Sequence, residues 1–202
     1  MKPRLVQLIQ LLRTHSLKLA PPGDPFTLVS GKKSDFYLDV KKTALLPQGH
    51  ALLGQMFFDL LPWDTSAVAG VALGGCSLAS AVSMYSASRA GGIPAVYVRK
   101  EAKAHGTGQF VESPIDLHGG RVVLLEDVVT SGGSSLRAVH MLQQAGATVI
   151  GVYAVVDRLE GAKEEFAVNS IRFQSLTTIQ DILQPALEPV TDTSSRLDPF
   201  ET

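Results

Sequence analysis

One cysteine in 202 residues rules out an internal disulfide, so no covalent staple holds this fold. Long uninterrupted apolar spans are missing, which argues against a membrane-spanning helix. No apolar signal region follows Met1, and together with the lone Cys76 this leads to the expectation of a reduced, cytoplasmic setting. Neither sign of charge is in excess. The 18 Lys and Arg against 19 Asp and Glu leave a formal net charge of −1, which gives no general attraction to nucleic acid and makes any basic cluster a local feature. Metal-ligand spacing is missing among His15, His50, His118 and His140, and no zinc site is expected. Cys76 has no histidine near it in sequence and reads as a small core residue rather than a nucleophile. No internal repeat or interior linker divides the chain, so its 45% hydrophobic residues serve one substantial core.

The informative residues are concentrated in 121–135, RVVLLEDVVTSGGSS. Residues 122–125 form an apolar, partly β-branched run that fits a buried parallel strand, and Leu136, Val139 and Leu142 follow at helical spacing. The strand is expected to stop at Glu126 and Asp127, with a turn joining it to the helix. In that turn Thr130, Ser131, Gly132, Gly133 and Ser134 can aim backbone N–H groups and hydroxyls at an anion, and the helix N-terminus adds about half a positive charge. Glu126 and Asp127 repel a naked phosphate, but they can accept hydrogen bonds from vicinal ribose hydroxyls or hold Mg²⁺ through water. The arrangement suits a ribose 5-phosphate. Neither a GxxxxGK(S/T) P-loop in the chain nor a GxGxxG fingerprint in this stretch is available to explain it otherwise.

A second segment, PAVYVRKEAKAHGTGQF at 94–110, begins as an alternating strand and breaks into Arg99, Lys100, Lys103 and His105, followed by Gly106 and Gly108. Cationic loops of this kind close over anionic substrates, exclude water and strengthen the charge contacts inside. The 121–135 stretch resembles the phosphoribosyl-pyrophosphate signature of the type I phosphoribosyltransferases. RKEAKAHG resembles the catalytic loop of the orotate phosphoribosyltransferases within them. FTLVSGKKSDFYLDVKK at 26–42 resembles that family's hood, and VVDRLEGAKE at 155–164 its orotate-contacting Asp-Arg pair. The four segments come in the family's order.

The resemblance implies the transfer of a 5-phosphoribosyl group from phosphoribosyl pyrophosphate to orotate, giving orotidine 5′-monophosphate and diphosphate in pyrimidine synthesis. It implies that Glu126 through Ser134, Val128 and Val129 included, bind phosphoribosyl pyrophosphate, with the acids on the ribose hydroxyls and Thr130 to Ser134 around the 5-phosphate. Gly74 and Gly75 would approach the diphosphate, in a turn whose backbone could be cis or left-handed. Arg99, Lys100, Lys103 and His105 would be catalytic, on a 99–109 loop shared between the subunits of a homodimer. Arg158, Thr130, Phe36 and Tyr37 would meet orotate. Mg²⁺ would be held by substrate and water near Glu126 and Asp127, with no direct protein ligands; neither nucleic acid nor membrane would be a partner. The chain departs from the pattern at Val29 and at Leu73-Gly74, where many members carry lysine, and in having Glu rather than Asp as first acid. A phosphoribosyltransferase for another base and a non-catalytic sensor of phosphoribosyl pyrophosphate are the rival readings. Arg158 with RKEAKAHG speaks against the first, and the intact loop and missing helix-turn-helix speak against the second.

Helices are expected over 5–17, 49–61, 78–89, 135–145 and 178–187, and strands within 26–40 and over 67–73, 95–99, 122–125, 149–156 and 170–176. The alternation indicates an α/β fold of the type I phosphoribosyltransferase kind: a central parallel sheet flanked by helices, with right-handed crossovers and a small N-terminal hood at about 20–45. Residues 1–187 would form one domain, and 188–202 a frayed tail. The site would lie at the carboxyl ends of the strands.

Overall fold

Strands without polar alternation are stable only where both faces of a sheet are covered, and that is how this chain uses its apolar runs. A computed structural model of the protein describes residues 2–27, 31, 33–89, 91–100 and 110–184. The chain begins with α1 (Lys2–Leu11), which widens into a π-helical turn at Leu12–Ser16 and gives way to β1 (Leu17–Leu19). The helix expected over 5–17 therefore ends one residue early. Leu17 is diverted into a ladder, where it pairs with Leu38.

Three further short strands, β2 (Phe26–Thr27), β3 (Lys33–Ser34) and β4 (Phe36–Leu38), complete the hood as two antiparallel ladders, β1 with β4 and β2 with β3. Then come α2 (Lys41–Ala44), α3 (Pro47–Phe58), β5 (Ala67–Val71), α4 (Gly74–Ala87), β6 (Ala95–Val98) and β7 (Val111–Glu112). The chain continues through β8 (Arg121–Val129), α5 (Gly133–Gln144), β9 (Thr148–Asp157), α6 (Ala162–Val168), β10 (Phe173–Thr178) and α7 (Ile179–Leu183). Three of these elements carry no sequence expectation. α2 is four residues long, β7 is two, and α6 buries only Ala162 and Phe166, so none offers a period to detect.

The six-stranded sheet runs β10-β9-β8-β5-β6-β7, and every pairing is parallel except β6 with β7. The expected parallel sheet holds from β10 to β6, and the added edge strand β7 is antiparallel, so the six strands together form a mixed sheet. Alternation splits the strands between two cores. Val68, Val123, Leu125, Tyr153 and Val155 face one cluster with Leu8, Leu53, Phe57 and Val82 of the helices on that side. Ala69, Leu124, Val152 and Ala154 face the other, with Val139 and Leu142 of α5 and Phe166 of α6. Among the described residues no helix is long and apolar enough to cross a membrane.

Strand order also locates the site. From β5 the chain moves outward to β6 on one side, and it returns to β8 on the other before moving outward again to β9 and β10. The crevice beyond the carboxyl ends of β5 and β8 is thus the topological switch point, where open α/β sheets bind ligands.

Candidate active site

The acidic pair lies inside the β8 ladder rather than after its end, since Glu126 pairs with Ala154 and Val128 with Val156. The strand expected to stop at 125 runs on to Val129 because β9 offers partners there to Glu126, Val128 and Val129. Successive side chains on a strand point to opposite faces, which gives the two carboxyls different surroundings. Glu126 is only 6% exposed, and its Oε1 accepts a hydrogen bond from the buried Ser135 hydroxyl at 2.9 Å. Burial first, and the Asp127 charge second, push its pKa up to about 8, while Ser135 and Lys100 pull it down. At neutral pH it carries a proton much of the time, and such a carboxyl can both donate to and accept from a sugar hydroxyl.

That protonation has a stability consequence. Between the ordinary 4.5 and about 8 the folded chain holds a proton that the unfolded chain has released, so stability falls as pH rises through this window. Glu126→Gln, which never ionises, is expected to gain up to about 4 kcal/mol on wild type at pH 8 compared with pH 5. Urea unfolding at the two pH values checks this; parallel pH dependences in the two proteins would contradict the buried, protonated state.

Asp127 points into a cavity of about 400 Å³ that it shares with Glu126, Lys41, Lys100, Leu73, Gly74 and Ser134. Its Oδ1 accepts the Val128 N–H at 3.0 Å, and its Oδ2 lies 3.8 Å from Lys41 Nζ. Opposite it, β5 ends and α4 begins at Gly74 with no side-chain cap. A larger cavity of about 520 Å³ at β7 and α5, lined among others by Glu112, Asp116 and Met141, includes neither the acidic pair nor the glycine turn.

Of the two alternatives left open for this turn, cis or left-handed, the structure has a cis peptide at Ala72–Leu73, while Gly74 and Gly75 themselves are helical. Close approach explains these glycines instead. A Cβ on Gly74 would lie 2.2 Å from Asp127 Oδ2, and one on Gly75 would lie 2.4 Å from the Leu125 carbonyl oxygen. Gly70 in β5 is tighter still, with Gly75 backbone atoms at 2.0 and 2.2 Å from the position of its Cβ. Two alanine substitutions four residues apart are therefore expected to fail differently. Gly70→Ala forces strand and helix apart and should cost about 3 kcal/mol in chemical denaturation. Gly74→Ala meets only a side chain that can swing aside, and should lose under about 1 kcal/mol while displacing the Asp127 carboxylate. Equal stability losses would refute this contrast.

α5 starts from Gly132, whose φ of +88° is left-handed, with no side-chain cap and no acidic residue in its first turn. Its N-terminal N–H groups are thus presented beside exposed Thr130, Ser131 and Ser134, as an anion site requires. The β8–β9 ladder brings the last site residue alongside: Val129 pairs with Asp157, and the Arg158 N–H donates to the Val129 carbonyl at 2.9 Å. The Arg158 side chain is 16% exposed, with Nε 2.9 Å from Glu160 Oε1 as an ion pair that is not aligned as a hydrogen bond, and its guanidinium lies 5.1 Å from the centre of the Phe36 ring. Among the described residues nothing bonds its terminal nitrogens, which leaves that edge of the fork open to a carboxylate.

Residues 41–185 match the model of the phosphoribosyl transferase domain. The orotate phosphoribosyltransferase of Sorangium cellulosum is 45% identical over 180 residues, covering 88% of this chain and 92% of that protein, and the one of a Nostoc species is 42% identical over 167 residues, covering 83% and 81%. The chain belongs to the orotate phosphoribosyltransferase family. A solved member, the Mycobacterium tuberculosis orotate phosphoribosyltransferase in complex with 5-phospho-α-D-ribosyl 1-diphosphate, superposes with a TM-score of 0.73 at 32% identity, over 89% of this chain and 99% of that one.

Set against the family resemblance, the fold gathers Glu126, Asp127, Val128, Gly74, Lys100 and Ser134 around one cavity. Arg99 lies next door, lining a space of about 120 Å³ with Ser134 and Arg137, and its Nε bonds Glu112 of β7 at 3.0 Å. Val129 is 2% exposed and its side chain belongs to the core. Phe36 reaches Arg158, whereas Tyr37, next on β4, points the other way and packs on Phe26 with ring centres 6.1 Å apart. Lys103, His105, Val29 and the tail 188–202 lie outside the described residues.

Lys41, Asp39, Ser135 and Glu160 were not singled out in sequence. Ser135 was within sight, as the last residue of the SGGSS run; nothing local marks Lys41, which is one of several lysines in the hood.

Among the described residues no three acidic, histidine or cysteine side chains cluster to hold a metal by themselves. Two neighbouring carboxyls, one of them largely protonated, do fit a Mg²⁺ that keeps most of its oxygens from water and a phosphorylated substrate.

Proposed function

We propose that this protein transfers the 5-phosphoribosyl group from phosphoribosyl pyrophosphate to N1 of orotate. The bond from N1 to the anomeric carbon forms, the bond from that carbon to the diphosphate oxygen breaks, and orotidine 5′-monophosphate and diphosphate leave. The observation that carries this reading is that the acidic pair and Ser134 of the uncapped α5 terminus line one cavity at the switch point, while Arg158, with its open fork, follows the adjacent strand β9. A ribose 5-phosphate then has hydroxyl partners in Glu126 and Asp127 and a phosphate cradle in Thr130 to Ser134. Arg158 lies across the strand ends, where a planar carboxylate can meet both its terminal nitrogens.

Orotate attacks as a ring-nitrogen anion and needs little proton transfer, so the residues act by positioning and by neutralising charge. Lys100, at the cavity wall, and Arg99, Lys103 and His105 of the same segment oppose the negative charge that grows on the departing diphosphate. Mg²⁺, held by the substrate and water near Glu126 and Asp127, would screen the same charge. Arg99 N–H bonds the Phe110 carbonyl at 2.8 Å, which ties the start of the cationic segment to its end at the rim of the sheet. On the family resemblance, residues 1–187 form one catalytic domain of a cytoplasmic homodimer, with 99–109 shared between subunits.

Mixing purified protein with phosphoribosyl pyrophosphate, Mg²⁺ and orotate should lower orotate absorbance, with no turnover of uracil, hypoxanthine or adenine. Turnover of another base would overturn the role of Arg158. Binding of phosphoribosyl pyrophosphate without turnover of any base would mark a sensor.

A further inference from the structure

Lys41 is a cation inside the cavity to which neither the sequence nor the comparisons give a role. It is the first residue of α2, and its Nζ sits 2.7 Å from Asp39 Oδ1 and 3.8 Å from Asp127 Oδ2. The contact with Asp39 is ionic rather than an aligned hydrogen bond, and Asp39 Oδ1 is buried with no hydrogen-bond partner. A buried carboxylate oxygen of that kind needs its counter-ion, so the ammonium is anchored from the hood side before any ligand arrives. Asp39 also raises the lysine pKa, against the opposing effect of burial, and Lys41 therefore stays charged wherever the enzyme would work.

The β5 side of the cavity shows what this cation can do. The turn at 72–74 offers backbone amides, but its one long side chain, Leu73, is apolar and 81% exposed. A diphosphate lodged there finds no positive side chain on that turn. Among the described residues, Lys41 and Lys100 are the two cations on the cavity wall. Lys41 stands next to Asp127, where it can offset the repulsion between that carboxylate and a polyanion.

We infer that Lys41 is a diphosphate-binding residue, held by Asp39 at the hood–sheet junction and supplying the positive charge that the Leu73-Gly74-Gly75 turn lacks. This rests on the proposed reaction. It differs from a merely structural role, in which Lys41 would only orient Asp127 toward the ribose.

Calorimetric binding of Mg²⁺-diphosphate, Mg²⁺-phosphoribosyl pyrophosphate and ribose 5-phosphate to wild type, Lys41→Met and Lys41→Arg separates the two. Because the ammonium is partly exposed and screened, one lost charge-assisted contact should weaken diphosphate and phosphoribosyl pyrophosphate about 10- to 30-fold in Lys41→Met. Ribose 5-phosphate should change less than about twofold, and Lys41→Arg should keep most of the diphosphate affinity, since a contact through charge survives that exchange. Melting curves of both variants serve as the check on folding. Weaker binding of phosphoribosyl pyrophosphate and ribose 5-phosphate with diphosphate undiminished would reduce Lys41 to an orienting role, equal weakening of all three would mark a general disturbance of the site, and no weakening of any would remove Lys41 from it; each overturns the inference. If wild type bound no phosphoribosyl pyrophosphate, the proposed reaction itself would fall, and this inference with it.

Discussion

Lys103→Ala is expected to lower turnover by about 10²- to 10³-fold while leaving orotate affinity nearly unchanged, as is typical when one group that stabilises transition-state charge is removed. Lys103 lies outside the described residues, so the expectation rests on the loop pattern RKEAKAHG and on the chemistry of the leaving group. Cleavage at an anomeric carbon runs ahead of bond formation, and negative charge accumulates on a diphosphate that already carries several. A cation placed there stabilises the transition state more than the ground state, which is why the loss should appear in kcat rather than in binding. Steady-state rates together with direct orotate binding would separate the two. Wild-type turnover in the purified variant would remove Lys103 from the mechanism.

Arg158→Ala should raise the KM for orotate about 100-fold and leave the KM for phosphoribosyl pyrophosphate within about twofold of wild type. Two charge-assisted hydrogen bonds from one guanidinium to a carboxylate are lost together, and truncation leaves Glu160 without its partner beside the incoming orotate anion. A loss of about 3 kcal/mol corresponds to that hundredfold change. Arg158→Lys should recover only part of it, because an ammonium cannot reproduce the planar fork. The position of the guanidinium over Phe36 makes a further test possible: Phe36→Ala should weaken orotate binding more than Tyr37→Ala, since Tyr37 faces Phe26 instead. Unchanged orotate affinity in Arg158→Ala would return the residue to an ordinary surface role.

Much of this site is visible in the chain itself. The SGGSS run and the helical spacing after it locate the α5 terminus, and Gly146, at φ +89°, ends that helix where a left-handed cap is needed. The order of the four family segments carries the activity. Where the sequence misleads, long-range pairing is the reason. Glu126 reads as an acid where the strand stops; β9 extends the ladder past it and buries it. Gly74 and Gly75 look like a strained anion turn, yet their small size answers to Asp127 and Leu125, which lie about fifty residues away along the chain.

The sequence by itself determined which chemistry is present: a phosphate turn, an acid pair, a cationic loop and an arginine, each a short pattern whose meaning depends on neighbours a few residues away. Only the tertiary structure decided which of these groups meet and in what state. It protonates Glu126 by burying it, sets Arg158 next to the end of β8 by strand order, and carries Lys41 from the hood to within 3.8 Å of Asp127. Such distances and burials depend on how sheet and helices pack across many residues of intervening chain, and no local period records them.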